Sequence, residues 1–246
     1  MHSIHDSARI GAGASLGEGV VIEAGAVLGD GCVIGHHVVI RRGTRIGARV
    51  RIDDFTTIGK QPLRSVQSAT TANSEEPPAE IGDDVLIGGH VEINAGARIA
   101  ARVLVADHAT VREGVSVGER TIVGRGVAIE NRCTIGARCK LETNVYVCAL
   151  STIEDDCFLA PCVAFTNDNC LGRDPERFAH HRGPHLRRGA RVGAHSTILP
   201  GKTLGEECMV GAHSAVTKDV PARMLVMGVP ARVVRPVDPR QWLENQ

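Results

Sequence analysis

The sequence predicts an all-β chain wound as a parallel β-helix. Three observations predict it: an apolar residue every six positions, a compact residue two before each of these, and a composition suited to corners. From Ile81 the sixth-residue series runs Ile87, Ile93, Ile99, Val105, Val111, Val117, Val123, Ile129, Ile135, Leu141, Val147, Ile153, Leu159 and Phe165, with no polar member. Neither the helical period of about 3.6 nor the strand period of about 2 requires that register. The residues two before are small or β-branched, as Val85, Val91, Ala97 and Val103 show. A large apolar residue, a compact one before it and a Gly- or Asp-rich corner make one short strand and one turn, and their repetition makes a solenoid. Only 2% of residues are aromatic, whereas 28 are glycine, which fits a chain turning every few residues better than a large aromatic core.

Taken in order, a first block keeps one register from Ile4 through Ile10, Leu16, Ile22, Leu28, Ile34, Ile40, Ile46 and Ile52 to Ile58. Residues 59–80 break it with Gln61-Pro62 and Glu75-Glu76-Pro77-Pro78, leaving 22 residues between Ile58 and Ile81 where five would continue the pattern. A second excursion, 166–191, follows Phe165, and register is expected back at Val192, Ile198, Leu204, Val210 and Val216. Ten, fifteen and five hexads, three to a triangular turn, give about ten coils within residues 1–219. Residues 220–246, with Pro221, Pro230, Pro236 and Pro239, read as a tail whose last turn covers the open end of the prism. With the faces labelled A, B and C from Ile4, both Ile58 and Phe165 fall on face A, so both excursions leave from one corner.

A formal net charge of zero and a pI near 7.2 speak against nucleic acid or an anionic membrane as partner. No signal peptide or membrane span is expected. Of eight cysteines, Cys32, Cys133, Cys139, Cys157 and Cys208 fall two before a repeat position, where Ala, Val and Thr stand elsewhere. They are expected to be small core fillers; without a CxxC pair, neither disulfides nor a metal are expected, and a reducing cytoplasm fits.

Long unstructured excursions in so regular an object are usually functional. The second is dense in polar and titratable groups: Thr166, Asn167, Asp168, Asn169, Arg173, Asp174, His180, His181 and His185. The corner after face C carries His36-His37, His90, Asp107-His108 and Asn144. Coils about 4.8 Å apart stack His90 under His108. Histidine accepts a proton near neutral pH, and a neighbouring carboxylate fixes its tautomer. His108, Asp107 and His90 are therefore the catalytic candidates, and Asn144, Asn167, Asp168, Asn169 and Arg173 the substrate-binding ones.

The hexads from Ile4 to about Val234, with the closing string GAHSAVTKDVPARMLVMGVPARVVR from Gly211 to Arg235, resemble the bacterial hexapeptide-repeat acyltransferases. The resemblance implies a left-handed helix, which the rule for right-handed crossovers does not predict. It also implies a homotrimer and a coenzyme A thioester, acetyl-CoA before others, as donor. Gly193, Ala194, Gly211, Ala212, Pro230 and Arg232 would lie along the cofactor, with backbone amides of this region holding the pantetheine arm and Lys218 near the adenosine end. VAFTNDN (Val163 to Asn169) resembles the branch that N-acetylates amino groups on nucleotide-linked sugars, so a small amino-sugar acceptor is implied. TIGKQP and EIGD (Thr57 to Asp83) resemble the lipid A branch, which takes acyl groups from acyl carrier protein; its site has a His-Asp sequence where this chain has Asp107-His108. Thioester aminolysis needs a neutral amine, a proton acceptor and donors for the developing oxyanion, and His108 is the expected acceptor. Three alternatives stay open: O- or N-acylation of another small acceptor from acyl-CoA or acyl carrier protein; a trimeric γ-type zinc carbonic anhydrase, which needs three histidines of which His90 and His108 supply two; and a catalytically silent scaffold, which would not need the polar loop.

Overall fold

Each hexad contributes a two-residue strand with one side chain outside and one inside, so every coil closes in eighteen residues with three large apolar groups on its axis. The computed structural model describes residues 2–71, 74–173 and 176–246. The strands form three sheets of eleven, ten and twelve strands, one per face and parallel but for the last strand of the third, against the ten coils expected. Face A stacks Ile4 on Ile22, Ile40, Ile58 and Ile93 in unbroken register, although the first excursion lies between the last two. The core is one aliphatic column per face, including Ile22, Ile40, Ile58, Ile93 and Leu141, all at most 1% exposed. Among the described residues no helix is long and apolar enough to cross a membrane.

The corner is where the sequence takes strain. Away from the first coil, the two excursions and the last coil, the third residue after an inward side chain is left-handed: His37, Arg49, His108 and Arg138 have φ of 54°, 55°, 59° and 56°. Glycine adopts this conformation freely, while other residues do so at a cost, and Asn and His are among those that tolerate it best. Equivalent corner side chains lie above one another and form three columns of different chemistry. The B/C corner is an ion ladder, with Arg49 bidentate to Asp84 (2.6 and 2.8 Å) and Arg138 bidentate to Asp156 (2.6 and 3.0 Å). Exposed pairs of this kind contribute little individually. The C/A corner is lined by imidazoles, and the A/B corner carries the excursions.

Register returns one hexad earlier than the sequence indicates. His185–Leu186 is a face B strand between Thr152–Ile153 and Thr203–Leu204, so Val192 lies on face C. Leu186 escapes notice because its compact partner two before is Pro184 and its other neighbours are His185, Arg187 and Arg188. The repeat also outlasts Val220, which bridges Leu204; Met224–Met227 then adds to face C and pairs antiparallel with Arg232–Pro236. The final 3-10 turns do not cover the open end. They lie on the B/C corner, with Leu243 N–H donating to Glu207 Oε2 (2.8 Å) and the Arg223 guanidinium 3.8 Å above the Trp242 ring.

The first excursion forms a strap along the A/B corner. Its base is closed by two hydrogen bonds between Gln61 and Glu76 (2.8 and 2.9 Å). Midway, Arg112 Nη2 donates to Thr71 Oγ1 (3.0 Å), Asn131 Nδ2 to the Thr70 carbonyl (2.6 Å), and Thr70 Oγ1 to Asn131 Oδ1 (3.0 Å). Beneath it Arg112 pairs with Glu113 (3.0 Å) and Glu130 (3.2 Å). Burial pushes the Glu113 carboxyl up, but its own backbone N–H, Arg112 and Asn94 outweigh that and hold it below the usual range.

The inward cysteines do more than fill space. Cys32, Cys133, Cys139 and Cys157 donate S–H to corner carbonyls at 3.1–3.2 Å, as Thr121 (2.8 Å) and Ser196 (3.0 Å) do with hydroxyls. Burial pushes the Cys133 and Cys208 thiols up to about 12.

Two outcomes are expected. The melting temperature is the same with and without reductant, and Cys139→Thr costs no more than about 1 kcal/mol in a denaturant titration, because Thr121 already holds the equivalent place. Glu113 titrates below its unfolded value, so its charge stabilises the folded chain above about pH 4.3 and that contribution is lost as pH falls through the lowered value. Glu113→Gln should therefore remove that part of the decline in stability seen below this pH in denaturant titrations.

Candidate active site

The C/A corner stacks rings coil upon coil. His37 and Phe55 are 5.3 Å apart between centroids, Phe55 and His90 5.1 Å, and His90 and His108 5.1 Å, with planes within 14° of parallel. Each ring is covered by the next until His108. One coil on, Gly126 has no side chain, and Asn144 leans over it so closely that a Cβ there would lie 2.4 Å from Asn144 Oδ1. Above Asn144 come Cys162 and a second stack, His195 on His213 at 5.0 Å. Between His37 and His213 this column lacks a side chain only at Gly126. The gap is a notch one residue tall, with His108 below, Asn144 above, and both exposed.

Asp107 does not serve the ring beside it. Its Oδ1 accepts from Gly89 N–H of the preceding coil (2.8 Å), as Asp54 does from His36 N–H (2.6 Å) and Asp30 from Ala12 N–H (2.7 Å). The outward amide at each corner is within reach of a carboxylate one coil later, so an Asp there caps backbone. Ala194 meets Ala212 one coil later and Ala212 meets Gly228, neither a carboxylate, and the N–H groups of Ala194 and Ala212 take no partner among the described residues. Gly193 has a packing reason of its own, because a Cβ would meet Ala212 N at 2.5 Å; at Gly211 it would meet the Met227 side chain at 2.9 Å. Lys218 and Arg232 line one pocket of about 120 Å³ beside Val216 and Ala231, near the exposed Pro230. Lys218 follows face A, a corner away from Ala194 and Ala212.

The second excursion is organised around Asp168, which accepts from Cys170 N–H (2.8 Å) and Gly172 N–H (2.9 Å) and pairs with His181 (3.6 Å). These two N–H groups, then burial in the opposite sense, and His181 hold its carboxyl below the ordinary range. Asn167 Nδ2 donates to the Ala149 carbonyl (3.3 Å). Both side chains thus shape the loop, while Asn169 and Arg173 are exposed and Asp174 lies outside the described residues. His185, at the base, shares Glu154 with Arg187, each at 2.9 Å.

Within one chain, then, His90, His108 and Asn144 come together, and the Asn167–Arg173 loop does not join them, because the width of face A intervenes. His90 and His108 stack face to face, so their in-plane nitrogens do not converge on one ion as a zinc site requires. Gly126 was not singled out by sequence reasoning. Laying the chain out at eighteen residues per row would have shown it as the one glycine between His37 and His213.

Residues 2–36 and 25–60 match the bacterial transferase hexapeptide family, and residues 188–218 match the hexapeptide repeat of succinyl-transferase. Over 95 residues, 39% of this chain, it is 33% identical to the serine acetyltransferase of Buchnera aphidicola. Over 49 residues, 20% of it, the chain is 45% identical to the galactoside O-acetyltransferase of Escherichia coli. These stretches cover 32% and 24% of those proteins, so the chain spans about a third or less of the curated relatives it matches. LpxA from Acinetobacter baumannii, 22% identical, shares the fold with a TM-score of 0.51 over 95% of this chain and 71% of that one. With an unbroken hexad ladder on three faces, these matches lead to one conclusion: residues 2–60 and 188–218 carry hexapeptide repeats of the bacterial transferase kind, on a chain built as a left-handed β-helix.

Proposed function

We propose that the chain transfers an acyl group, acetyl before longer ones, from a coenzyme A thioester to an amino group of a small acceptor, an amino sugar or nucleotide-linked sugar. The observation that carries the reading is the notch at Gly126, which leaves His108 as the uncovered end of a ring stack. An acceptor amine entering there meets an imidazole to take its proton and, across the gap, the Asn144 carboxamide to bind the acyl oxygen. His90 supports the stack from below. The open amides of Ala194 and Ala212 lie on the same corner, four and five coils above His108, or about 19 and 24 Å away at about 4.8 Å per coil. They offer donors to a pantetheine arm running down to the notch, with Lys218 and Arg232 nearer its phosphates. Two relatives named acetyltransferases support the donor class, and one of them, named for a galactoside O-acetyl transfer, supports a sugar acceptor.

A homotrimer completes this arrangement. The outward side chains of face A are mostly small and uncharged, among them Val21, Val39, Thr110, Ala128, Ala164 and Thr197, whereas face B carries Arg9, Arg45 and Arg98. Three copies with face A toward a common axis place the A/B corner of one, with Asn169 and Arg173, beside the C/A corner of the next.

His108→Ala should lower kcat by about 10²–10⁴-fold on the true acceptor with the acetyl-CoA KM unchanged. Near-full kcat would remove His108 as base. Gly126→His should refill the column once the Asn144 carboxamide turns aside, and abolish turnover while the melting temperature stays close to wild type, since His37, His90 and His108 occupy the same backbone conformation. Parallel assays with an amino sugar and its hydroxyl analogue separate N- from O-transfer. Light scattering should give about three times the 26.1 kDa chain mass, and a monomer would argue against the shared cleft.

A further inference from the structure

The strap conceals a set of polar groups that the corner itself does not need. At the second corner position after face A, neighbouring coils carry Ala95 and Ala149, which suffice for the turn. The two coils between them carry Glu113 and Asn131 instead, 1% and 0% exposed. Burying a carboxylate and a carboxamide there is unfavourable unless each is fully partnered. Glu113 is partnered by Arg112 and Asn94, and Asn131 only by Thr70 of the strap, but the set is not closed: Asn94, 3% exposed, donates from Nδ2 to Glu113 Oε2 (3.2 Å), while its Oδ1 is buried without any partner. Sites where sequence departs from a local rule at such cost are commonly functional.

What fills the recess at present is a pair of hydroxyls on adjacent residues. Thr71 Oγ1 accepts from the Arg112 guanidinium and Thr70 Oγ1 bonds to Asn131 Oδ1. A guanidinium, a carboxylate and two carboxamides are the donors and acceptors that recognise neighbouring hydroxyls on a sugar ring. The unpartnered Asn94 Oδ1 calls for one more donor, which a sugar hydroxyl or ammonium supplies and the strap does not. The strap is firmly closed at its base by Gln61 and Glu76, while its outer part is turned to solvent, with Leu63 and Val66 81% and 95% exposed. A fixed base with a latch of a few hydrogen bonds is a hinge that a competing ligand opens.

We infer that Asn94, Arg112, Glu113 and Asn131 form a sugar-binding recess, and that Thr70 and Thr71 occupy it in an autoinhibited state until a sugar displaces the strap. The choice of a sugar rests on the acceptor class proposed above, but binding is measured without turnover. The ligand affinity of such a protein is reduced by the fraction of molecules that are open. Thr70→Val with Thr71→Val removes the latch hydroxyls and leaves the recess intact. Calorimetric titration with glucosamine, and separately with UDP-glucosamine, is then paired with hydrogen exchange over 61–79. In the wild-type chain, binding should expose the strap to exchange. The double variant, which keeps only the Asn131 bond to the Thr70 carbonyl, should show a strap that exchanges faster without ligand and affinity about tenfold tighter. Adding Asn131→Ala, which the flanking alanines show the corner accepts, should abolish binding. Tighter binding of the UDP form alone assigns the recess to a nucleotide-linked sugar, and equal binding to the sugar itself. The inference fails if the released strap brings no gain in affinity, if the strap stays protected in the double variant, or if neither sugar binds. Loss of turnover in His108→Ala with binding intact, or retained turnover in Asn131→Ala without it, separates this inference from the catalytic one.

Discussion

The structure depends on closing each coil in eighteen residues over an axis that admits one large apolar side chain per face. Everything else follows from that closure. It fixes strands at two residues, forces a left-handed backbone at the corner, and places any residue about 4.8 Å from the one eighteen positions away. A feature repeated in adjacent coils therefore becomes a column, and a feature omitted once becomes a gap in one. The imidazole stack and its notch are both products of this rule.

The same closure explains what the sequence disclosed. Ile4 to Ile58 and Ile81 to Phe165 were legible because one large apolar group recurs with no competing signal. The placement of both excursions on the corner after face A, and the stacking of His90 on His108, followed from counting. Leu186 was not legible, since a proline and three cationic or titratable neighbours disguise its hexad, and missing it displaced His195 and His213 from the corner they share with His108. Asp107 was misread for a different reason. Its sequence neighbour is His108, but its hydrogen-bond partner is Gly89, one coil away, and the carboxylates of Asp30 and Asp54 do the same. Linear adjacency is a poor guide in a fold where the nearest neighbour is eighteen residues distant. The polar residues of the second excursion were recognised, although Asn167 and Asp168 shape the loop in this chain and leave Asn169 and Arg173 outward.

Electrostatically the three corners divide the work. The B/C corner pairs arginine with aspartate in a ladder that is almost neutral along its length. The C/A corner concentrates imidazoles and leaves the last amides open. The A/B corner buries the Glu113 carboxylate under the strap. A formal net charge of zero thus conceals an uneven surface, and the corner with the fewest fixed charges is the one that carries the imidazole stack.

The one-hexad misreading points to a property of the fold itself. Because every hexad satisfies the core equally well, deleting six residues within a block would leave the apolar columns filled and the sheets paired. All later residues would nevertheless turn by one face, carrying His195, His213 and the open amides of Ala194 and Ala212 away from His108. A deletion of eighteen would preserve the angular position and shorten only the distance along the axis. The coil thus behaves as a spatial reading frame: changes in length by whole turns conserve the site, and changes by thirds of a turn dismantle it in a protein that still folds.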